Sequence, residues 1–532
     1  MEATGAEVLV AALRAHGVDT VFGIPGTHNL AVYEQLARCG VACVTPRHEQ
    51  GAGYAADGYA RVTGRPGVAL TTTGPGVVNA AAALAQAYSD SSPVLLLSPG
   101  VPSDHPRLGR GYLHESKDQT GALDALCAWS HRVTSIREIP AAVGRAFISF
   151  AEGRPRPVHV EVPADLLDRR GSADLATPYR PMPRVPDPAA LDRAAGLLRG
   201  ARRPGIVLGG GAQRPGDDDP VTGRLAMLLA ERTGARVVTT VNGKGCVPES
   251  HPLCLGATLH LSGVRRWLAS CDVVLAVGTE LGPADLWEDR FALTGTLIRV
   301  DVDPAQMYGD HVAGVPVLAD AALALDGLAD RVPEPEEGAP APDGRVERER
   351  DAELREVARR WAPQLAALRE VLPADTVVVG DNSMMSYHGA IVGMPVDPPG
   401  RFLFPAGYGT LGFALPAAIG AKVGRPDRPV VVLAGDGALQ FSVQELATAV
   451  ELRLSLPIVV AVNGGFGEIR DGMRKRGMPP VGVDLHAPDL MTLAAAYGAH
   501  GRVADGPEEL GDAVAEALKT PLPTVVSFQE PG

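Results

Sequence analysis

A chain of 532 residues, 45% hydrophobic and 21% charged, has the make-up of a soluble globular protein with about three domains. Its formal charge of −13, from 62 acidic against 49 basic side chains, offers no basic footprint for nucleic acid. The acidic start MEATGAE lacks the positive charge of a secretory signal, and no apolar run approaches the roughly 18 residues of a membrane span, so a cytoplasmic protein is expected.

Residues 5–17 place apolar side chains at helical spacing and stop on Gly17. DTVFGIPG then gives a short strand running into a turn at Gly23, Pro25 and Gly26, with His28 at its mouth. A helix over Leu30–Arg38 and a strand over Val41–Thr45 lead to Arg47-His48-Glu49-Gln50. Glu49 opens a helix of small residues, GAGYAADGYARVTG. An acid in a first helical turn is also favoured by the helix dipole, so position alone does not single it out. The next segment reads strand, Thr-Thr-Gly-Pro-Gly turn with Pro75, helix carrying Asn79, and strand. Three strand ends, at Pro25-Gly26, Glu49 and Thr73–Asn79, are thus expected on one edge of a parallel sheet.

A Pro-rich stretch, 169–188, reads as a linker, after which strand and helix alternation restarts in RRPGIVLGGGAQ, ARVVTTVNGKG, CDVVLAVGTELG and GTLIRVDVDP. Gly209-Gly210-Gly211 is a weak dinucleotide signal, because no acidic residue is evident on the following strand. A second linker, 331–348, precedes a helix over Asp351–Val371, the strand TVVVGDNS, and a glycine turn that opens another small-residue helix, GYGTLGFALPAAIGAKVG. A helix-rich tail and the strand PTVVSF close the chain. Three doubly wound α/β domains of parallel sheet follow, over 1–168, 190–330 and 350–532. The six cysteines have no CxxC spacing and read as buried free thiols.

Within the last domain, an apolar strand ends on Gly435-Asp436-Gly437. A helix and a second apolar strand follow, ending on Asn463-Gly464-Gly465. The carboxylate of Asp436, the side-chain oxygen of Asn463 and the carbonyl of Gly465 form a set of hard oxygen donors at neighbouring strand ends. Magnesium suits such a set, since it takes few protein ligands and completes its octahedron with water and phosphate oxygens.

FGIPG, RHEQGAGYAADGYAR, TTGPGVVNAAAALAQAYSDSSPVLLLS and the GDG…N unit stand in the order found in the acetolactate synthase and pyruvate decarboxylase superfamily of thiamine diphosphate enzymes, which the chain resembles over essentially its whole length. The resemblance implies thiamine diphosphate with Mg2+, and a glutamate, here Glu49, hydrogen-bonded to N1′ of the aminopyrimidine. It implies that Gly409 accepts from the N4′ amino group and that Leu411 wedges under the cofactor, although Leu411 reads equally as a core leucine. Asn382, Ser383 and the amides of Gly437 and Ala438 would meet the diphosphate, with Pro25, Gly26, Pro75, Asn79, Gly435 and Phe466 completing the cofactor contacts. In relatives the middle domain sometimes holds FAD or ADP; an empty one is expected here. The family builds each site from two chains, so a homodimer or homotetramer is implied.

The family's substrate is a 2-oxo acid. GIPGTHN, GYLHESKDQ, GTELG and NGGFGEIR look most like the 5-guanidino-2-oxopentanoate decarboxylase branch, which implies non-oxidative decarboxylation of a 2-oxo acid with a polar or cationic side chain. His28 and His114 fall on segments that line the cofactor cleft in relatives and are candidate proton carriers. Glu115, Glu468 and Asp471 are candidate acids for a cationic substrate, though Glu468–Asp471 also reads as a solvated helix start. An acetolactate synthase-like carboligase is the alternative; the glutamine of that group's FQET-type segment is missing from GYLHES. A cofactor-binding protein without turnover ranks lower, because Glu49, Asp436 and Asn463 are all present.

Overall fold

The computed structural model describes residues 2–106, 109–174, 178, 182–213, 216, 220–289, 291–334 and 344–531. Among them the chain forms an α/β protein with three six-stranded sheets whose strand pairs are all parallel. The first holds β2 (Thr20–Gly23), β3 (Ala42–Val44), β4 (Gly67–Leu70), β5 (Val94–Gly100), β6 (Trp129–Arg132) and β7 (Val158–Pro163), in the order β3-β2-β4-β5-β7-β6. A two-stranded antiparallel ribbon of β1 (Glu2–Thr4) and β8 (Arg170–Ser172) flanks it.

The second sheet holds β9 (Pro204–Leu208), β10 (Arg236–Thr239), β11 (Cys254–Gly256), β12 (Val273–Val277), β13 (Thr296–Asp301) and β14 (Val315–Leu318), ordered β11-β10-β9-β12-β13-β14. The third holds β15 (Val377–Gly380), β16 (Arg401–Leu403), β17 (Val430–Gly435), β18 (Leu456–Val462), β19 (His500–Ala504) and β20 (Pro523–Gln529), ordered β16-β15-β17-β18-β20-β19. Sheets buried on both faces read as continuous Val and Leu runs, and VVVLA in β17 and PIVVA in β18 are buried throughout. In each sheet the direction of winding reverses at one place: between β2 and β4, β9 and β12, and β15 and β17. Open α/β sheets bind ligands at such points.

Two close helix contacts bind the outer domains together. The helix Glu49–Thr63 lies on the helix Ala414–Gly424, and a Cβ at Gly58 would run into the Ala417 carbonyl, just as one at Gly420 would run into that of Ala55. Only small residues allow backbones this near. Beside this contact the guanidinium of Arg61 reaches Asp57 and Asp90 at 2.7 Å and the Phe404 carbonyl at 3.0 Å, while Asn242 of the middle sheet's loop donates to Asp90 at 3.0 Å. One buried cation thus ties all three domains.

The structure departs from the sequence reading in five places. Arg170–Ser172, read as linker, is β8, because it pairs with a strand at the other end of its domain. The second linker is entered by a helix, Arg345–Val357; residues 175–177, 179–181 and 335–343 of the two linkers lie outside the described residues. The helix read over Asp351–Val371 is two, Arg345–Val357 and Ala362–Val371, broken where Trp361 is fully buried and Pro363 cannot supply a helical N–H. The tail read as helix-rich carries β19, an edge strand too polar to stand out. All six cysteines are free thiols, but the expectation that they are buried fails at Cys39, which is half-buried, and at Cys43, which is exposed on the short strand β3.

Candidate active site

Parallel strands deliver loops to one edge, and two of the three sheets load that edge with chemistry. In the first sheet, β2 runs into the Pro25-Gly26 turn, β3 into Glu49 and β4 into the Gly74-Pro75 turn, so the three expected strand ends are adjacent. The Asn29 side chain closes the first turn by accepting from the Gly26 amide at 2.7 Å and donating to the Ile24 carbonyl at 3.1 Å. Glu49 is the first residue of its helix and is buried; Asn79 donates to it at 2.9 Å, and a Cβ at Gly76 would lie 3.2 Å from its Oε1. The hydroxyl of Tyr33 is buried close by without a hydrogen-bond partner, and burial pushes its pKa up, keeping it protonated.

His28 and His114 meet over this edge, their ring centroids 5.3 Å apart, with Tyr112 stacked 5.9 Å from His28. Both Nδ1 atoms are buried without a partner among the described residues. His114 has a φ of 62°, and its backbone packs over Gly74. Burial first, and the His114 imidazole second, hold His28 below the ordinary histidine pKa. Glu115 does not join them: it accepts from the amides of Arg110 and Tyr112, at 3.0 and 3.1 Å, and lies 3.4 Å from His105, so it closes its own loop. Gln119 was not among the expected residues. Its side-chain oxygen accepts from Thr73 Oγ1 at 3.0 Å and the Gly74 amide at 2.8 Å, which pins the Gly-Pro-Gly turn.

In the third sheet, Asn382, Asp436 and Asn463 follow β15, β17 and β18, again neighbours. Asp436 accepts from the amides of Asn463 and Gly464 at 3.4 and 2.9 Å. The Asn463 oxygen accepts from the Gly465 amide at 3.1 Å while its amide group donates to Glu530 at 2.7 Å, which fixes which end of the side chain is oxygen. Gly465, at φ 152°, brings its carbonyl within 3.1 Å of where a Gly437 Cβ would be, and a side chain on Gly465 would strike the Val483 carbonyl. Asp436, Asn463 and Gly465 thus lie together at neighbouring strand ends, linked by the amide contacts of Asn463, Gly464 and Gly465.

Around them the expected residues separate. Asn382 bridges Thr410 O at 2.7 Å and the Tyr387 hydroxyl at 2.6 Å, and Ser383 faces Gly435. Asp381, missed in the sequence, accepts from the amides of Asn382, Gly412 and Ala414 at 2.9, 3.2 and 2.9 Å; burial pushes its pKa up to about 6. It clasps the Gly409–Gly412 loop to β15. Gly409 has open space around its Cα, and Leu411 is half-buried and belongs to no hydrophobic cluster among the described residues, which leaves the core-leucine reading without support. Phe466 packs by Gly437. Glu468 lies 3.4 Å from His388, whereas Asp471, on the same helix Gly467–Lys475, lies 3.5 Å from Arg474.

The middle sheet's reversal point is different. The amides of Gly209 and Gly211 donate to Val277 O and Gly278 O at 2.9 and 3.0 Å, so its two glycine turns close on each other.

Sequence comparison joins these parts. Residues 3–122 match the thiamine pyrophosphate enzyme N-terminal binding domain, 191–328 its central domain and 378–528 its C-terminal binding domain. The chain belongs to the thiamine pyrophosphate enzyme family. The probable 2-ketoarginine decarboxylase AruI of Pseudomonas aeruginosa is 42% identical over 95% of this chain and 90% of its own length. Acetolactate synthase isozyme 2 large subunit of Escherichia coli is 34% identical over 94% and 90%, and a probable acetolactate synthase large subunit of Methanocaldococcus jannaschii 32% over 98% and 91%. This member of the thiamine pyrophosphate family is therefore an enzyme of the decarboxylase and acetolactate synthase type. No helix among its described residues is long and apolar enough to cross a membrane.

Proposed function

We propose that the chain catalyses non-oxidative decarboxylation of a 2-oxo acid with a cationic side chain, using thiamine diphosphate and Mg2+. The C1–C2 bond breaks, carbon dioxide leaves, and a proton taken up at C2 completes an aldehyde. The observation that carries this reading is the pair of imidazoles over the Glu49 edge, where acetolactate synthases bear a glutamine, together with 42% identity to the 2-ketoarginine decarboxylase relative.

Bound thiamine diphosphate supplies a nucleophilic carbon and an electron sink. Asp436, Asn463 and the Gly465 carbonyl would hold Mg2+, and the amides of Gly437 and Ala438 would receive phosphate oxygens at a helix start. Glu49, buried and bonded among the described residues to Asn79 alone, would exchange a proton at the pyrimidine nitrogen. The scarcity of competing donors keeps its free oxygen available. Gly409 would offer its carbonyl to the amino group and Leu411 its side chain as a wedge. His28, facing His114 at 5.3 Å between ring centroids, would deliver the proton to C2, while His114 orders it.

Half-buried Leu411, Tyr408 at 57% exposure and Phe441 at 47% surround the same loop, which supports a second copy covering it; a homodimer or homotetramer is the proposed assembly. The test is incubation with cofactor, Mg2+ and either 5-guanidino-2-oxopentanoate or pyruvate. Carbon dioxide and the guanidino aldehyde are expected. Acetolactate from pyruvate would move the enzyme to the carboligase class, and no carbon dioxide from a broad panel of 2-oxo acids would overturn the reading.

A further inference from the structure

We infer that Trp287, Tyr387, His388 and Glu468 form a subsite for an alkyl guanidinium, at the join of the middle and C-terminal domains. This rests on the decarboxylase reading and names the part of the site that selects the substrate's far end.

Trp287 is held in a left-handed backbone conformation, φ 53°, at the end of the short helix Pro283–Leu286. That strained geometry is unusual for a bulky side chain and fixes where its ring stands. One indole face stacks on His260, centroids 4.1 Å apart and planes 25° from parallel, yet Trp287 remains 46% exposed. His260 itself is buried, and its Nε2 has no partner; burial pushes its pKa down to about 4, so the base of the stack is neutral. Tyr387 and His388 stand edge-on to Trp287 with centroids at 6.2 and 6.5 Å, and Glu468 reaches His388 at 3.4 Å. An exposed indole with a carboxylate one imidazole away, across His388, offers the two contacts that planar guanidinium prefers, stacking on one and hydrogen-bonding to the other.

The position also fits. The Tyr387 hydroxyl donates to Asn382 at 2.6 Å, and Glu468 lies on the helix that starts just past Gly465. The cluster is therefore contiguous with the third sheet's loaded edge. Glu115 and Asp471, the other acids expected to meet a cation, are engaged elsewhere, by the amide of Arg110 at 3.0 Å and by Arg474 at 3.5 Å.

The experiment compares two substrates of one shape: 5-guanidino-2-oxopentanoate and its neutral ureido counterpart. In holoenzyme carrying Trp287→Leu or Glu468→Gln, the ratio of kcat/KM for guanidino over ureido substrate should fall roughly tenfold, mostly through KM, and Trp287→Phe should keep most of it. Thermal melts of each variant identify any folding defect, and the Glu468→Gln change, on a partly exposed side chain, serves if the tryptophan variant melts early. An unchanged ratio in folded variants overturns the subsite, and a fall confined to Glu468→Gln overturns the aromatic wall.

Calorimetric titration with 4-guanidinobutanoate against butanoate reads binding without turnover. Should the wild type decarboxylate neither substrate, the decarboxylase reading falls and this titration alone judges the subsite. Preferential binding of the guanidino acid that Trp287→Leu abolishes supports it; equal affinity for the two acids overturns it.

Discussion

The first and third sheets have the same winding. Numbered from its own start, each runs second, first, third, fourth, sixth, fifth strand, whereas the middle sheet runs third, second, first, fourth, fifth, sixth. With topology held constant, the two outer edges differ in how they treat a carboxylate. Among the described residues Glu49 has one side-chain donor and a tyrosine hydroxyl without a partner nearby, and two imidazoles meet over the same sheet edge. Asp436 is gripped by two backbone amides and backed by an Asn463 that Glu530 orients. The first arrangement holds its carboxylate by a side chain, the second by backbone amides. In the proposed function the first would handle the proton and the second the cation. The same fold serves both tasks because the difference lies in a few loop donors.

This contrast predicts that the two carboxylates fail differently. Glu49→Gln should lower kcat on the order of 100-fold or more while thiamine diphosphate still binds, as read by carbon dioxide release and by calorimetry on the same preparation. Asp436→Asn should instead weaken Mg2+-dependent cofactor binding by about 100-fold, and its new amide group, facing two N–H donors, should also lower the melting temperature. If both variants lost turnover and kept the cofactor, the division of labour would be wrong. Glu530→Gln should weaken Mg2+ by about tenfold without touching the Glu49 edge, because it loosens the orientation of Asn463 and not the site itself.

The smallest effect concerns pH. His28 has a folded pKa below the unfolded value, so it binds fewer protons when folded, and its contribution favours folding above about pH 6.5 and fades as pH falls through the folded value. The limb of kcat/KM set by His28 should accordingly lie below pH 6.5. Burial is the main cause and His114 the second, so His114→Gln should move the limb upward only slightly. A large move would make His114 the dominant influence.

Much of this was legible in one dimension because it is local. Strand runs of Val and Leu, the Gly-Asp-Gly turn and the Asn-Gly-Gly turn each carry their geometry in consecutive residues, and the layout of parallel strands then puts Glu49, His28 and Gly74 side by side. What escaped is what depends on distant partners. Glu530 meets Asn463 across 67 positions and Gln119 reaches Gly74 across 45, with no local pattern to mark either. Asp381 looked like part of an ordinary strand end, yet its burial under the Gly412 loop makes it a clasp. Trp287 and Tyr387 come from different domains, and only tertiary packing gives them a common purpose.

The crossed helices at Gly58 and Gly420 set a mechanical limit. Backbone rests on backbone at two reciprocal points, and Arg61 rivets the contact to the third domain. Surfaces meshed this tightly have no slack for sliding, and prising them apart would cost Arg61 its contacts with the Phe404 carbonyl and Asn242, although its pairs with Asp57 and Asp90 lie inside its own domain. The subunit therefore behaves as a rigid chassis. Admission of substrate and departure of product fall to the loops at the strand ends, so turnover can be tuned there by mutation without disturbing the frame.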